Sequence, residues 1–182
     1  AGLVLFSSFW LEGLEKRVLG FSLRAAVITF EFIWTGSLPF PPRTQGLHAK
    51  LLWISIWMVA LGSWALALFP DQEKAMLHII FIGGFSLMIF AVATVVVLSH
   101  CGEAARLQHK IWALRIILLS IIFALIFRVS AAYFPEYYFS MLAYASGLWL
   151  LAGLIWFIFA LPKVVTIPAN PEKEDAPCQT DE

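Results

Sequence analysis

Apolar residues in this chain gather into four long runs: Leu51 to Phe69, Ala75 to Leu98, Ile111 to Tyr133 and Tyr138 to Leu161. A spanning helix needs roughly 20 mainly apolar residues, because each rises about 1.5 Å and the hydrocarbon layer is about 30 Å thick. All four runs reach that length. Pro70-Asp71, Phe134-Pro135 and Pro162-Lys163 follow three of them. Proline has no N–H to donate and fits only the start of a helix, so helix ends are predicted at these points. A fifth run, Val18 to Trp34, is shorter and carries Arg24 and Glu31. Those charges lie about two turns apart and share one face, which must turn into the bundle or towards the membrane boundary rather than to lipid. The first eleven residues are apolar but cover only half a span. The predicted fold class is all-α: a polytopic integral membrane helical bundle over residues 18–162, with spans at 18–34, 51–69, 75–98, 111–133 and 138–161. Residues 1–17 read as a truncated or interfacial apolar segment. Since the sequence starts Ala1-Gly2-Leu3 and shows no signal-peptide pattern, the expectation is a piece of a longer parent chain that supplies an N-terminal half.

Composition agrees with a bilayer as the main partner. Hydrophobic residues make up 61% and charged residues 13%, where soluble domains have about half and a quarter. Twelve basic and twelve acidic residues cancel, which leaves no basic field for nucleic acid. Cys101 and Cys178 form neither a disulfide framework nor a zinc motif. Strict alternation of the helices puts Arg43, Lys50, Arg106, Lys110, Arg115, Lys163 and Lys173 on or beside one side, against Lys16, Arg17 and Lys74 on the other. Cytoplasmic loops collect Lys and Arg, so the C-terminus is expected in the cytoplasm. The acidic, proline-bearing end of the 163–182 segment reads as a solvated tail.

Phosphate-binding, nucleophile-elbow and zinc-protease motifs are all lacking. Four histidines remain, and histidine is both a common metal ligand and rare in spans. His78 and His100 sit near opposite ends of one predicted helix, about 33 Å apart if that helix is continuous, and cannot share an ion. His48 and His100 fall at one depth on consecutive antiparallel helices and could meet, with Cys101 or His109 nearby. A second site could form around His78, near Tyr133, Glu136 and Tyr137. The alternative is a set of interfacial histidines bonded to water or headgroups. Gly84, Met88, Ala91 and Val95 form one stripe, either the floor of a cofactor cavity with Met88 as a sulfur ligand or a helix-packing seam. Arg128, inside its span, either snorkels to the boundary or pairs an anionic group such as a propionate. Trp53, Trp57 and Trp64 read as boundary or packing aromatics.

Met76 to Gly102 (MLHIIFIGGFSLMIFAVATVVVLSHCG) resembles the signature helix of the NnrS family of bacterial membrane proteins. His78, Gly83, Gly84, Met88, Thr94, Leu98, His100 and Gly102 fall in step with it. Leu47-His48 is similar to the family's Leu-His, and Leu125 to Ala131 to its later Leu-Arg-Val segment, which places Arg128. Val95 stands where the family has Arg, and Ser99 where it has Gly. The resemblance covers about residues 45–135 well and corresponds to the C-terminal half of family members. It implies a haem- and copper-containing inner-membrane protein linked to nitric oxide and denitrification, with His48, His78 and His100 as metal ligands and Met88 and Arg128 beside the cofactor. Whether a reaction is catalysed is left open. Two other classes stay in view. One is a metal-free transporter or permease half, suggested by Arg24, Glu31, Arg128 and the glycine-interrupted helix. The other is a structural membrane subunit.

Overall fold

The computed structural model describes residues 2–14, 16–36, 38, 40–42, 46–109 and 111–165. Arg43, Lys110 and the tail from residue 166, with Cys178, lie outside the described residues. Helices α1 (Gly2–Gly13), α2 (Arg17–Trp34) and α3 (Leu47–Leu68) come first. After a 3-10 turn at Pro70–Gln72, α4 (Glu73–His78), a π-helical stretch (Ile79–Ser86) and α5 (Leu87–His100) form one rod. Helices α6 (Trp112–Ser130) and α7 (Tyr138–Val165) follow, and no strand occurs among the described residues. Among the described residues, four rods are long and apolar enough to cross a membrane: Leu47–Leu68, Pro70–His100, Trp112–Ser130 and Pro135–Val165. This is a multi-pass membrane protein. Helix α2 is not among those four; it carries Arg17, Arg24 and Glu31 along 18 residues.

The charge on α2 is accommodated by aromatic faces. The Arg24 guanidinium lies 4.4 Å from the ring centre of Phe9 on α1 and 5.0 Å from that of Phe21. A ring quadrupole attracts a cation most where water is scarce, so this contact binds the short first helix to the second. The main core joins α3, α5 and α6 through Leu51, Leu87, Ala91, Leu98, Leu114 and Ile117. Gly84 belongs to its tightest seam. A Cβ there would stand 2.6 Å from the Cγ2 of Val59, so only glycine lets the π stretch approach α3 this closely. The stripe containing Gly84 and Ala91 is thus a packing seam, with Met88 half-buried along it.

Indole N–H groups pin the rods together. Trp149 donates to the Oγ of Ser86 at 3.0 Å and Trp156 to the Oγ1 of Thr94 at 3.1 Å, both from α7. On the other side, Trp64 donates to the Oγ1 of Thr29 at 2.9 Å and joins α3 to α2. Hydrogen bonds between membrane helices are worth about 0.6 to 2 kcal/mol each, and an indole N–H away from water requires an acceptor. Thr94, a position of the recognised helix pattern, therefore has a packing task. So does Gly102: its φ of 71° ends α5, with the N–H of Glu103 reaching the carbonyl of Leu98 at 2.8 Å.

Two details depart from the sequence reading. The rod expected as regular helix over 75–98 widens into π geometry at Ile79–Ser86. Ser86 donates its hydroxyl to the carbonyl of Phe81, five residues back, at 3.1 Å, which satisfies a backbone acceptor within the wider turn. The last helix does not stop before Pro162 but continues to Val165. Two tethers hold its final turn in place: the Sγ–H of Cys101 donates to the carbonyl of Lys163 at 3.3 Å, and the Lys163 ammonium pairs with Glu103.

Candidate functional site

The two ends of the bundle carry different chemistry. At the proline end, α3 turns at Pro70 and α6 gives way to Pro135. His78 closes α4 here, half-buried, and its Nδ1 is bonded to the Lys74 carbonyl one turn back. A carbonyl only accepts, so Nδ1 carries the proton and the lone pair of a neutral ring is left on Nε2. That is the arrangement that readies a histidine as a ligand, with the second nitrogen oriented by a backbone acceptor.

His78 borders a cavity of about 490 Å³ between the π stretch, α6 and α7. Its walls are mainly apolar, from Phe81, Ile82, Leu142 and Ala145, and its polar groups are His78, Arg128, Ser86, Ser146 and the indole of Trp149. Cavities of this size and make-up, an apolar hollow with a few convergent polar groups, hold cofactors and other small ligands. Arg128 is half-buried on α6 and makes no hydrogen bond or ion pair among the described residues. It also borders a second, more polar cavity of about 540 Å³ beneath the Pro70–Gln72 turn. The structure therefore brings His78 and Arg128 to one cavity. Met88 lines neither cavity, and Tyr133, Glu136 and Tyr137 do not line that of His78.

The opposite, clasp end holds the other three histidines. His48 lies in the first turn of α3, and its buried Nδ1 has no hydrogen-bond partner. Its ring packs on Gly46, where a Cβ would collide with the imidazole and stand 2.6 Å from the Leu107 carbonyl. His100 is exposed at the end of α5, its Nδ1–H donating to the Val96 carbonyl at 3.0 Å. His109 is exposed as well. No group of three or more His, Cys, Asp or Glu side chains that could hold a metal ion occurs among the described residues. The thiol of Cys101 is engaged by Lys163, on the α7 side. Beside it Glu103 takes the Lys163 ammonium and, at 3.1 Å, the Arg106 guanidinium. The hydrogen bond from Lys163 is the largest effect on the Glu103 carboxyl; desolvation opposes it, and the positive charges of Lys163 and Arg106 add to it, so the carboxyl is held below its ordinary range.

A comparison with protein-family models matches residues 1–166 to the family described as NnrS protein. The chain belongs to the NnrS family. The match takes in all the described helices and all four histidines. No curated protein and no solved structure matches the chain. Within this NnrS chain, the residues that sequence reasoning overlooked are Ser86 and Trp149, which wall the His78 cavity. Ser86 is a rare hydroxyl in an apolar rod and could have been noticed. Nothing marked Trp149 among eight tryptophans, because its partner depends on the widened turn opposite.

Proposed function

We propose that the protein binds haem at the proline end, where His78 would hold the iron through Nε2 and Arg128 would pair an acidic substituent. It would serve the response to nitric oxide that accompanies denitrification, in the bacterial inner membrane with its C-terminus in the cytoplasm. The observation carrying this reading is the proton-assigned His78, its ligating nitrogen free, on an apolar cavity that also receives an unpaired Arg128. The donor set fits the group: one imidazole for the iron, apolar walls for the macrocycle and a cation for an acidic substituent. When bound, haem iron supplies a centre that takes up nitric oxide and exchanges single electrons. The chain's own residues orient and exclude. Lys74 fixes the imidazole through its carbonyl, and the Trp149–Ser86 bond holds α7 against the π stretch as one wall of the cavity. Copper, the second metal the family suggests, is assigned to the clasp end. The groups offered there are an unpartnered Nδ1 on His48 and an exposed His100.

The test is direct. Purified from haem-supplied cells, the chain should show a Soret band that shifts when nitric oxide is added without oxygen. A colourless protein that gains no band on titration with haemin would sink the proposal and favour a metal-free permease half.

A further inference from the structure

The His78 cavity has a floor and a mouth. Ser86 and Ala145, on its floor, are 9% and 3% exposed, whereas Phe81 and Leu150, on its rim, are 51% and 64% exposed. Ser146 and Trp149 belong to the exposed rim as well. The depth of that rim is fixed by the helices that carry it. Leu150 stands about 18 Å along α7 from Tyr138, midway through the apolar run that ends at Leu161. Phe81 lies about 16 Å along the Pro70–His100 rod. Both depths fall well inside a hydrocarbon layer about 30 Å thick. The mouth therefore opens sideways, towards lipid chains and not towards headgroups or water.

Its chemistry agrees with its depth. No rim residue is charged, and the Trp149 N–H is already taken by Ser86. The charged hollow nearer the membrane boundary, with Asp71, Glu73 and Lys74, has one wall residue in common with the His78 cavity, Arg128. An ion entering at the rim would leave its hydration behind with no opposite charge to replace it, whereas a neutral diatomic molecule gives up almost none. We propose that the cavity is supplied from the bilayer: nitric oxide, or another small uncharged molecule dissolved among the lipid chains, enters between Phe81 and Leu150 past Ser146. What the gas meets inside rests on the haem reading; the side opening does not.

Two measurements on the full chain in nanodiscs test this. In the first, Ser146→Cys, with Cys101 and Cys178 changed to Ser, carries a nitroxide, and its relaxation by dissolved oxygen is compared with that by a water-soluble nickel chelate. Oxygen is itself an apolar diatomic molecule. It should outdo nickel at position 146, as at a Leu154→Cys label on the outer face of α7, and the order should reverse at Glu136→Cys in the Pro135–Tyr137 turn. In the second, carbon monoxide is photolysed from the haem-loaded protein and its return is timed. Ser146→Trp crowds the mouth and should slow that return roughly tenfold, a barrier higher by about 1.4 kcal/mol. If Ser146→Trp fails to fold, the nitroxide carries the test. A position-146 label relaxed more by nickel than by oxygen, or a return rate unchanged in a folded Ser146→Trp, overturns the proposal. A colourless protein removes the haem reading but leaves the nitroxide result standing, so the two failures are told apart.

Discussion

The proline end and the clasp end use the same local device for opposite purposes. His78 and His100 each hand Nδ1 to the carbonyl four residues back, which leaves Nε2 as the free nitrogen. Around His78 the rod widens into a π turn, Ser86 and Trp149 hold α7 beside it, and Arg128 faces the resulting hollow. Around His100 the helix ends at once in the left-handed Gly102, and the neighbouring charges satisfy each other in the Glu103–Lys163–Arg106 group. The imidazole alone does not make a candidate cofactor site. A hollow that the histidine shares with a cation, His78 with Arg128, marks the proline end.

The comparison can be broken at several points. The largest structural effect is expected where the π stretch touches α3. Gly84→Val puts branched carbon into the Val59 side chain and should cost about 1–3 kcal/mol, read as a lower unfolding midpoint in detergent. Gly147→Ala on α7, with nothing within 4 Å of the added carbon, should not lower that midpoint, and the better helix propensity of alanine should raise it slightly. Next, Trp149→Phe keeps the apolar ring but deletes the bond to Ser86; a loss of about 0.6 to 2 kcal/mol is expected, together with greater solvent access to the His78 cavity by fluorescence quenching. The smallest effect belongs to the clasp. Because Lys163 lowers the Glu103 pKa, the pairing stabilises the fold above the ordinary carboxylate pKa and is lost as pH falls through the depressed value. Unfolding midpoints followed from pH 7 into that acidic range should drop slightly more in the parent than in Glu103→Gln, and salt should shrink the difference.

Much of the fold could be read from the sequence. Length and apolarity alone locate Leu51–Phe69 and Ile111–Tyr133, since lipid tolerates few alternatives to a helix. The charged α2 was legible as a helix whose charges avoid lipid, but its aromatic partners were not, because Phe9 belongs to another element. Pro162 misled, as tethers from Cys101 and Glu103 hold a turn that proline alone would end. The candidate site was half legible. His78 and Arg128 stood out as polar groups in apolar runs, while their shared cavity depends on a π turn that periodicity cannot reveal. Nor could spacing show that Cys101 turns to α7, or that His48 lacks a partner for its buried nitrogen.

The central claim is that haem is held at the proline end by His78. It is tested most directly by comparing absorption spectra of His78→Ala and His100→Ala, purified side by side from haem-supplied cells, with folding checked by helical circular dichroism. Loss of the Soret band in His78→Ala alone is the predicted result. A band that survives in His78→Ala and vanishes in His100→Ala would contradict it and move the cofactor to the clasp end.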